Sequence, residues 1–357
     1  MKHILVYGMS DNPGGIETYL LNFFLRAQGN LIHMDFVSDF SAVAYGDILE
    51  ERGAKIHFIP AKSKNLFGHL ISMWRILKSH KEYDGVYFNI LDAGAAVTMI
   101  PVFLLGRKIV VHSHNDNTEK IRLHRVCKPF LNFFTAKRAA CSEAAAEYMF
   151  GRKAKQTLVV PNAIDAARFT FCEETRMRKR QELGLGDRPC ICHVGRITQQ
   201  KNPLGLVDVF EAVHRKCPEA LLLSVGTGDM IEQFHDYIAE KGLTDSVMCL
   251  GVRNDVDELY QAADVFLFPS LYEGLGIVVL EAQAAGLPCV ISDVIPKQAT
   301  VTDLVHSISL DADPEVWADQ VISCFGTHRR DTHKELIVAG FDISCCDRYD
   351  ELLVEKF

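Results

Sequence analysis

The sequence predicts an α/β protein built from two doubly wound domains. Its 357 residues exceed what one hydrophobic core usually serves, so two domains are expected. Short, nearly continuous apolar runs alternate with longer stretches of helical periodicity, which is typical of parallel strands covered by helices on both faces. The alternation begins afresh near residue 190, so the same plan occurs twice.

Seven strands are expected in the first half and five in the second. The first set is 3–8, 34–38, 55–60, 85–89, 108–114, 139–142 and 158–162. The second set is 190–195, 221–226, 247–251, 265–270 and 289–292. Helices fit between them: 17–27 has apolar residues at helical spacing, and 202–216 begins with Asn202 and Pro203, a favourable N-cap and first-turn pair.

The domain boundary is predicted within PNAIDAARF, residues 161–169, where a strand ends and a charged helical stretch follows. This gives a first domain of residues 1–165 and a second of residues 166–341. The last residues have amphipathic spacing, so a C-terminal helix over about 342–357 is expected to pack back on the first domain.

Composition indicates a soluble globular enzyme, with 48% hydrophobic and 24% charged residues. No apolar run is long enough to span a bilayer, the first residues read as a strand rather than a signal peptide, and eleven cysteines lack metal-ligand spacing. A reducing, cytoplasmic location is therefore expected. Residues 1–165 contain 20 Lys/Arg and 15 Asp/Glu, whereas the remainder contains 18 and 31, so the first half is the one suited to an anionic surface.

Candidate ligand-binding residues follow the predicted strands, because open parallel sheets bind ligands beyond the carboxyl ends of their strands. Gly14 and Gly15 follow the first strand and open a helix, which offers backbone amides to a phosphate or sugar oxygen; an ordinary tight turn has the same pattern. His112 and His114 share one face at the end of another strand. They could contact a ligand at that strand end, or they could be ordinary hydrogen-bonded or surface histidines. Their spacing is not that of a structural zinc site.

The second half places cations and glycines at strand ends. Arg196 and Lys201 flank the loop GRITQQKN, where a guanidinium fork and a point charge suit a diphosphate. Gly226 lies in the turn VGTG at the same rim. These charges could equally be solvated loop residues, so the Arg196–Lys201 pair indicates a diphosphate site only together with the next motif.

That motif is LYEGLGIVVLEAQAAG, residues 271–286. Glu273 precedes a glycine turn and a helix whose amino end is a natural anion site, and Glu281 lies little more than a turn inside that helix. Two carboxylates so placed can border a diphosphate and accept hydrogen bonds from vicinal hydroxyls. They could also form a general acid and base pair, or lie on a helix surface.

The pattern G-R-x4-K followed by E-G-L-G-I-V-V-L-E resembles the retaining glycosyltransferases of family 4. The resemblance covers the whole chain, including H-S-H-N, P-N-A-I-D, G-T-G and G-V-R-N-D-V, and is strongest to bacterial enzymes of exopolysaccharide or capsule synthesis. It implies the GT-B fold, in which two Rossmann-like doubly wound domains face each other across a cleft. Ala163 departs from the glycine that the family often has after P-N.

The resemblance implies roles for these residues. Arg196 and Lys201 are expected to bind the diphosphate, Glu281 the ribose hydroxyls, and Glu273 the hydroxyls of the transferred sugar; His114 is expected near the sugar. These roles make His114, Glu273, Arg196 and Lys201 the expected catalytic residues. The further donor contacts implied are Gly14, Gly15, Gly226, Val252, Arg253, Gly274, Leu275 and Gly276.

The implied reaction is retaining transfer from a nucleotide-sugar, with UDP expected by family habit, to a glycan or polyprenyl-linked glycan. Neither a cofactor, a metal nor a nucleic acid is expected; D-V-D at 255–257 and D-A-D at 311–313 imitate a metal motif but lie in loop or helix-start contexts. Four alternatives stay open: a glycosidase using Glu273 and Glu281, a phosphorylase or a sugar-nucleotide epimerase on the same fold, and a non-catalytic nucleotide-sugar-binding module.

One basic and aromatic segment lies outside these motifs. Residues 120–138, KIRLHRVCKPFLNFFTAKR, contain six Lys/Arg and no acid, with Phe130, Leu131, Phe133 and Phe134 interleaved. The segment is suited to contact an anionic membrane surface, which would make the protein peripheral on the inner face of the cell membrane. The alternative is that the aromatic side chains are buried and the charges merely solvated.

Overall fold

The computed structural model describes residues 2–11, 14–28, 32–115 and 121–345. It divides into two compact units, of which the second is Ile164–Asp342 and the first contains the described residues up to Ala163 together with Ile343–Cys345. Beyond Cys345, the predicted C-terminal helix lies outside the described residues. Among the described residues the longest helices have 14 residues, which is too short to cross a bilayer.

The first unit contains a seven-stranded parallel sheet in the order β3-β2-β1-β4-β5-β6-β7. Its strands are β1 Lys2–Tyr7, β2 Ile32–Ser38, β3 Ile56–Phe58, β4 Tyr83–Ile90, β5 Lys108–Ser113, β6 Lys137–Ala140 and β7 Leu158–Val159. Its helices are α1 Gly15–Ala27, α2 Gly46–Glu51, α3 Leu66–Ser79, α4 Ala96–Leu104, α5 Ile121–Phe134 and α6 Glu143–Phe150.

Alternate residues of β1 serve two separate cores, because successive side chains of a strand point to opposite faces. Leu5 and Tyr7 pack with buried residues of α3, α4, α5 and α6. Ile4 and Val6 pack with α1 and α2 on the other face. The sheet is therefore covered on both sides, which explains why its strands read as continuous apolar runs.

The second unit contains a six-stranded parallel sheet in the order β10-β9-β8-β11-β12-β13. Its strands are β8 Cys190–Val194, β9 Leu221–Val225, β10 Val247–Gly251, β11 Val265–Phe268, β12 Cys289–Ser292 and β13 Val305–Ile308. Its helices are α7 Ala166–Phe169, α8 Glu173–Glu182, α9 Pro203–Lys216, α10 Ile231–Glu240, α11 Val256–Ala262, α12 Ile277–Ala284, α13 Pro314–Ser323 and α14 His333–Val338.

Strand order reverses once in each sheet, between β1 and β4 and between β8 and β11. In doubly wound sheets, ligands bind at the carboxyl ends of the strands beside such a switch point. In the second unit these ends continue into the β8–α9 loop, which contains Arg196 and Lys201, and the β11–α12 loop, which contains Glu273.

All twelve predicted strands are present, and the predicted doubly wound α/β fold is confirmed. The prediction missed β13, an edge strand whose His306 and Ser307 interrupt the apolar run that identified the other strands. Asn202 and Pro203 begin α9 as predicted, with the Asn202 side chain accepting a hydrogen bond from the Gly205 amide at 3.3 Å.

Candidate active site

Hydrogen bonds join the β8–α9 and β11–α12 loops directly. The Leu271 amide donates to the Gln200 carbonyl at 2.8 Å, and the Asn202 side-chain amide donates to the Pro269 carbonyl at 3.1 Å. Gln200 donates in return to the Tyr272 carbonyl at 3.0 Å. The two loops therefore form one structural element at the switch point, although about 70 residues separate them in sequence.

Lys201 and Glu273 form an ion pair within this element, with the ammonium donating to Oε1 of the carboxylate. Both side chains are largely buried, with 13% of Lys201 and 8% of Glu273 exposed. The Lys201 ammonium also lies 4.8 Å from the centre of the Phe268 ring. Burial lowers the pKa of Lys201, and the Glu273 carboxylate opposes that effect.

Arg196 is exposed at the beginning of the same loop. It lies close enough to Lys201 for its positive charge to lower the pKa of that ammonium further. The element thus presents one exposed guanidinium beside a buried, carboxylate-paired ammonium. That combination offers an anionic ligand an exposed guanidinium fork and a fixed point charge.

Two glycines after β9 set the backbone of the Arg196 loop. Gly226 has φ of 131°, and a Cβ atom there would lie 2.0 Å from the Gly195 carbonyl oxygen. A Cβ atom at Gly228 would lie 2.2 Å from the Ile197 carbonyl oxygen. The Ile197 amide also donates to the Thr227 carbonyl at 3.0 Å. Only glycine allows this approach, and Gly228 is a site-building residue that the sequence prediction did not single out.

Helix α12 begins beside Glu273, after the glycine turn. Its N-cap, Gly276, has φ of 82° and no side chain with which to cap the first amides. Gly274 is exposed and Leu275 is buried in the preceding turn. The amino end of the helix therefore presents backbone N–H groups next to the Arg196–Lys201 loop, as an anion site requires.

Glu281 lies on the fifth residue of α12 and is buried. Its Oε2 atom accepts a hydrogen bond from the Tyr260 hydroxyl at 3.3 Å. Burial raises the pKa of Glu281 to about 7, although the Tyr260 hydroxyl and the charge of Arg168 lower it. Sequence reasoning found Glu281 but missed Tyr260, since no pattern connects this α11 residue to α12.

Val252 is exposed directly after β10, where the nucleotide base is expected. The Arg253 guanidinium beside it is held by both oxygens of Asp255, at 2.8 and 2.6 Å. Lys179 pairs with the same carboxylate at 2.8 Å. The Arg253 guanidinium is therefore engaged in an ion pair within the protein. A contact between its side chain and the nucleotide base stays a prediction.

The two Asp-x-Asp stretches are also engaged by protein groups. Asp255 is paired with Arg253 and Lys179, and these cations hold its pKa well below the usual range. Asp257 pairs with Arg168 at 2.7 Å, and Asp313 caps α13 by accepting from the Glu315 amide at 2.9 Å. Cations or a helix cap therefore satisfy these three carboxylates.

His193 is a further buried residue near this loop that the sequence did not reveal. Its Nδ1 lies 3.0 Å from the Leu267 carbonyl, so Nδ1 carries the proton and Nε2 is left as an acceptor. Nε2 is buried without a hydrogen-bond partner among the described residues. Burial lowers the pKa of His193 to about 4, so the ring is neutral at pH 7.

His114 in the first unit is held between two asparagines. Its Nδ1 lies 3.0 Å from Asn162 Oδ1 and its Nε2 lies 2.9 Å from Asn89 Oδ1. Burial lowers its pKa to about 4, so the neutral ring donates through only one nitrogen, and one of the two amides must present its NH₂ group instead. His114 is therefore a buried, neutral histidine, and its catalytic role stays a prediction.

The β1–α1 loop of the first unit is organised by Glu17, a buried residue of α1. Its carboxylate accepts from the Ser10 amide at 3.2 Å and the Ser10 hydroxyl at 2.7 Å. Gly14 is extended rather than left-handed, and Gly15 is the exposed first residue of α1. Glu17 was not singled out by the sequence prediction, and the donor contacts expected of the two glycines stay predictions.

Comparison with known proteins finds a family match within the second unit. Residues 175–328 match the family described as glycosyl transferases group 1, and this segment contains the whole Arg196, Lys201, Glu273 and Glu281 set. The chain resembles group 1 glycosyltransferases over this segment. Its two Rossmann-like units match those of solved glycosyltransferases with the GT-B fold.

Two relatives align with the chain over most of their length. The putative glycosyltransferase EpsF of Bacillus subtilis (strain 168) is 27% identical over 359 residues, covering 96% of this chain and 93% of EpsF. The Escherichia coli UDP-Gal:alpha-D-GlcNAc-diphosphoundecaprenol alpha-1,3-galactosyltransferase is 29% identical over 345 residues, covering 87% of each chain.

A solved structure shares the fold over almost the entire chain. Anabaena Alr3699/HepE in complex with UDP-glucose has a TM-score of 0.78 and 22% identity, covering 99% of both chains. The two units therefore have the doubly wound folds that the resemblance implied. The resemblance to glycosyltransferases is confirmed in part, by the group 1 match over residues 175–328 and by the alignment with EpsF.

Proposed function

We propose that this protein is a glycosyltransferase that moves a sugar from a UDP-sugar to a lipid-linked glycan, with retention at the anomeric carbon. The observation that carries the proposal is the cluster of Arg196, Lys201 and Glu273 on two hydrogen-bonded loops at the switch point of the second sheet. The amino end of α12 adjoins this cluster. Cations and helix amides suit a diphosphate, and the carboxylate suits hydroxyls.

Different residues contact different parts of the nucleotide-sugar donor. Arg196 and Lys201 hold the diphosphate together with the amides that follow Gly274. Glu281 accepts hydrogen bonds from the ribose hydroxyls, and Glu273 accepts them from the transferred sugar. The ion pair with Lys201 holds the Glu273 carboxylate in place, which favours its use as a hydrogen-bond acceptor.

The chemical step exchanges one C–O bond for another at the anomeric carbon. The bond from that carbon to the diphosphate breaks, the acceptor oxygen bonds to the same face, and the acceptor proton passes to the leaving phosphate. Negative charge grows on the diphosphate as its bond breaks, so Arg196, Lys201 and the α12 amides stabilise the transition state more than the ground state.

The proposal needs no metal ion, because these groups can neutralise the leaving diphosphate. The carboxylates of Asp255 and Asp257, which could have bound a metal, are paired with Arg253, Lys179 and Arg168. The glycosidase alternative is disfavoured for a similar reason. Glu273 is bonded to Lys201, and a diphosphate-binding loop has no part in glycoside hydrolysis.

The relatives support the choice of donor and acceptor. EpsF and the Escherichia coli galactosyltransferase, whose acceptor is linked to diphosphoundecaprenol, align over most of this chain. The fold neighbour HepE has been solved in complex with UDP-glucose. We therefore propose a UDP-sugar donor, a polyprenyl-diphosphate-linked acceptor, and a place in exopolysaccharide or capsule synthesis on the cytoplasmic side of the membrane. The segment around α5 is the proposed membrane contact.

A panel of UDP-sugars tests the proposal through UDP release with and without a soluble polyprenyl-diphosphate glycan analogue. Acceptor-dependent release, unchanged by a chelator, with the donor's anomeric configuration kept in the product, is expected. Phosphate-dependent sugar release would instead indicate a phosphorylase, and a new sugar-nucleotide isomer an epimerase. Tight nucleotide-sugar binding without turnover on any acceptor would indicate a binding module.

A further inference from the structure

An exposed apolar surface covers one side of the first unit. It is formed by α3, α4 and α5, which lie side by side over the same face of the sheet. These three helices carry eleven of the 23 exposed large apolar side chains among the described residues. Of these eleven, the most exposed are Phe67 at 81% and Phe133 at 69%. Exposed apolar residues scattered singly are ordinary, but a concentration on neighbouring helices indicates an interaction surface.

Helix α5 has three distinct faces at 3.6 residues per turn. His124, Cys127 and Leu131 form the buried stripe. Along one flank of that stripe run exposed apolar side chains, with Val126 and Phe130 among them. Exposed basic residues occupy the remaining face. The helix therefore presents apolar and basic stripes side by side to solvent, which is the pattern of helices that lie in a membrane interface.

The apolar stripe continues from α5 onto α4 and α3. The Phe103 ring of α4 lies 5.4 Å from the Phe133 ring of α5, centre to centre. Between α4 and α3 runs a groove of about 280 Å³, lined by Ile71, Trp74 and Leu104 among others. The three helices thus form one continuous surface, named here the α3–α5 surface.

The charge of the α3–α5 surface has one sign. The three helices contain no Asp or Glu, although Asp and Glu outnumber Lys and Arg in the chain as a whole. Arg75, Lys78, Arg122 and Arg125 are exposed on α3 and α5. Lys128 is different, because its ammonium donates to the backbone carbonyls of Glu147 and Tyr148.

We infer that the α3–α5 surface docks on an anionic lipid bilayer, with its apolar side chains in the interface and its basic side chains at the headgroups. The positive charge complements an anionic leaflet, whereas two copies of this chain meeting through the same surface would place like charges together. The benefit of docking rests on the proposed lipid-linked acceptor, which lies at such a leaflet. The inference extends the proposed contact at α5 to α3 and α4.

Sedimentation with vesicles of phosphatidylcholine and phosphatidylglycerol tests the inference, with pure phosphatidylcholine vesicles as reference. Wild-type protein should bind the anionic vesicles at low salt and release them as salt rises. The variant R75Q/K78Q/R122Q/R125Q should bind on the order of several hundred-fold more weakly, at about fivefold per charge. The matched control R52Q/K55Q/R152Q/K155Q removes four exposed charges elsewhere in the first unit and should retain binding.

An apolar pair of variants completes the test. F67Q/F130Q/F133Q should lose vesicle binding, whereas M177Q/V316Q/V338Q, which changes exposed apolar residues of the second unit, should retain it. Equal binding by the surface and control variants would overturn the inference, as would absence of wild-type binding at low salt. A dimer that the F67Q/F130Q/F133Q change dissociates would overturn it in favour of a second copy. Turnover on a soluble acceptor is measured in parallel, so that failure of docking and failure of the proposed function are distinguished.

Discussion

The Lys201 ammonium pairs with the Glu273 carboxylate across two loops that follow different strands of the second sheet. Both side chains are largely buried, so neither charge has water as a ready alternative partner. The pair therefore fixes one cation and one carboxylate at the switch point, beside the exposed Arg196. Substitution of the buried Lys201 should therefore lower stability, whereas substitution of the exposed Arg196 should lower activity and leave stability unchanged.

Replacing Lys201 with methionine should destabilise the protein by about 3–5 kcal/mol, because it leaves the buried Glu273 carboxylate without its cation. Chemical denaturation at pH 7.5 measures the change. The double variant K201M/E273L should recover much of the loss, since it removes both charges together. If K201M unfolds like wild type, the buried ion pair contributes nothing to stability and this description of the site is wrong.

Replacing Arg196 with alanine should leave the unfolding free energy unchanged, because the side chain is exposed. Turnover should nevertheless fall by about 100-fold, corresponding to about 3 kcal/mol of lost transition-state stabilisation. Arg152→Ala provides the control for loss of an exposed arginine elsewhere. Normal kcat/KM in the Arg196 variant would remove the guanidinium from the proposed diphosphate site.

Gly226→Ala should be far more harmful than Gly184→Ala. Both glycines have positive φ, so both substitutions strain the backbone, by about 1–2 kcal/mol at the left-handed Gly184. Only at Gly226 would the new Cβ atom overlap a neighbour, the Gly195 carbonyl oxygen; at Gly184 nothing lies within 4 Å. Both variants should lose thermal stability, the Gly226 variant by much more, and only the Gly226 variant should also lose donor affinity. Equal effects would mean that the close approach of the two loops is not needed.

Donor affinity should rise with pH through the titration of Glu281. Burial raises the pKa of this carboxyl to about 7, and the ionised form is the better acceptor for ribose hydroxyls. UDP-sugar affinity should therefore increase between about pH 6 and pH 8, and Glu281→Gln should abolish that dependence. A UDP-sugar is the suitable probe because its phosphates do not titrate in this range.

The same shift has the opposite consequence for stability. The folded-state pKa of Glu281 lies above its unfolded value, so the stability it provides is present at low pH and is lost as pH rises toward 7. Glu281→Gln should therefore raise the unfolding free energy at pH 8, by on the order of 3 kcal/mol, and change it little near pH 4.5. A variant that is no more stable than wild type at pH 8 would contradict the raised pKa.

The sequence identified the strands and the loops of the switch point because both depend on local patterns. Continuous apolar runs mark buried parallel strands, and charged or glycine-rich turns mark their ends. The Lys201–Glu273 pair and the Tyr260–Glu281 hydrogen bond depend instead on which strands become neighbours, and no local pattern encodes that. The same limit applies to Gly228, whose need for glycine arises from the Ile197 carbonyl.

The basic and aromatic segment illustrates the same division between local and tertiary information. The sequence left open whether its aromatic side chains are buried. The structure exposes Phe130 and Phe133 and buries the neighbouring Leu131. Of its basic residues, Lys128 and Arg138 donate to backbone carbonyls and are not free surface charges. Amphipathic spacing could not reveal this, because Lys128 reaches carbonyls of α6, outside the segment, and Arg138 reaches carbonyls in the last turn of α5 and just beyond it.

The central claim is that two carboxylates of the second unit contact different parts of one nucleotide-sugar, and calorimetry with UDP and a UDP-sugar tests it most directly. Glu281→Gln is predicted to weaken both ligands by about tenfold or more, through loss of a charged hydrogen-bond acceptor at the ribose. Glu273→Gln is predicted to spare UDP and weaken only the UDP-sugar. The reverse pattern, or unchanged affinities for both ligands in both variants, would contradict the account.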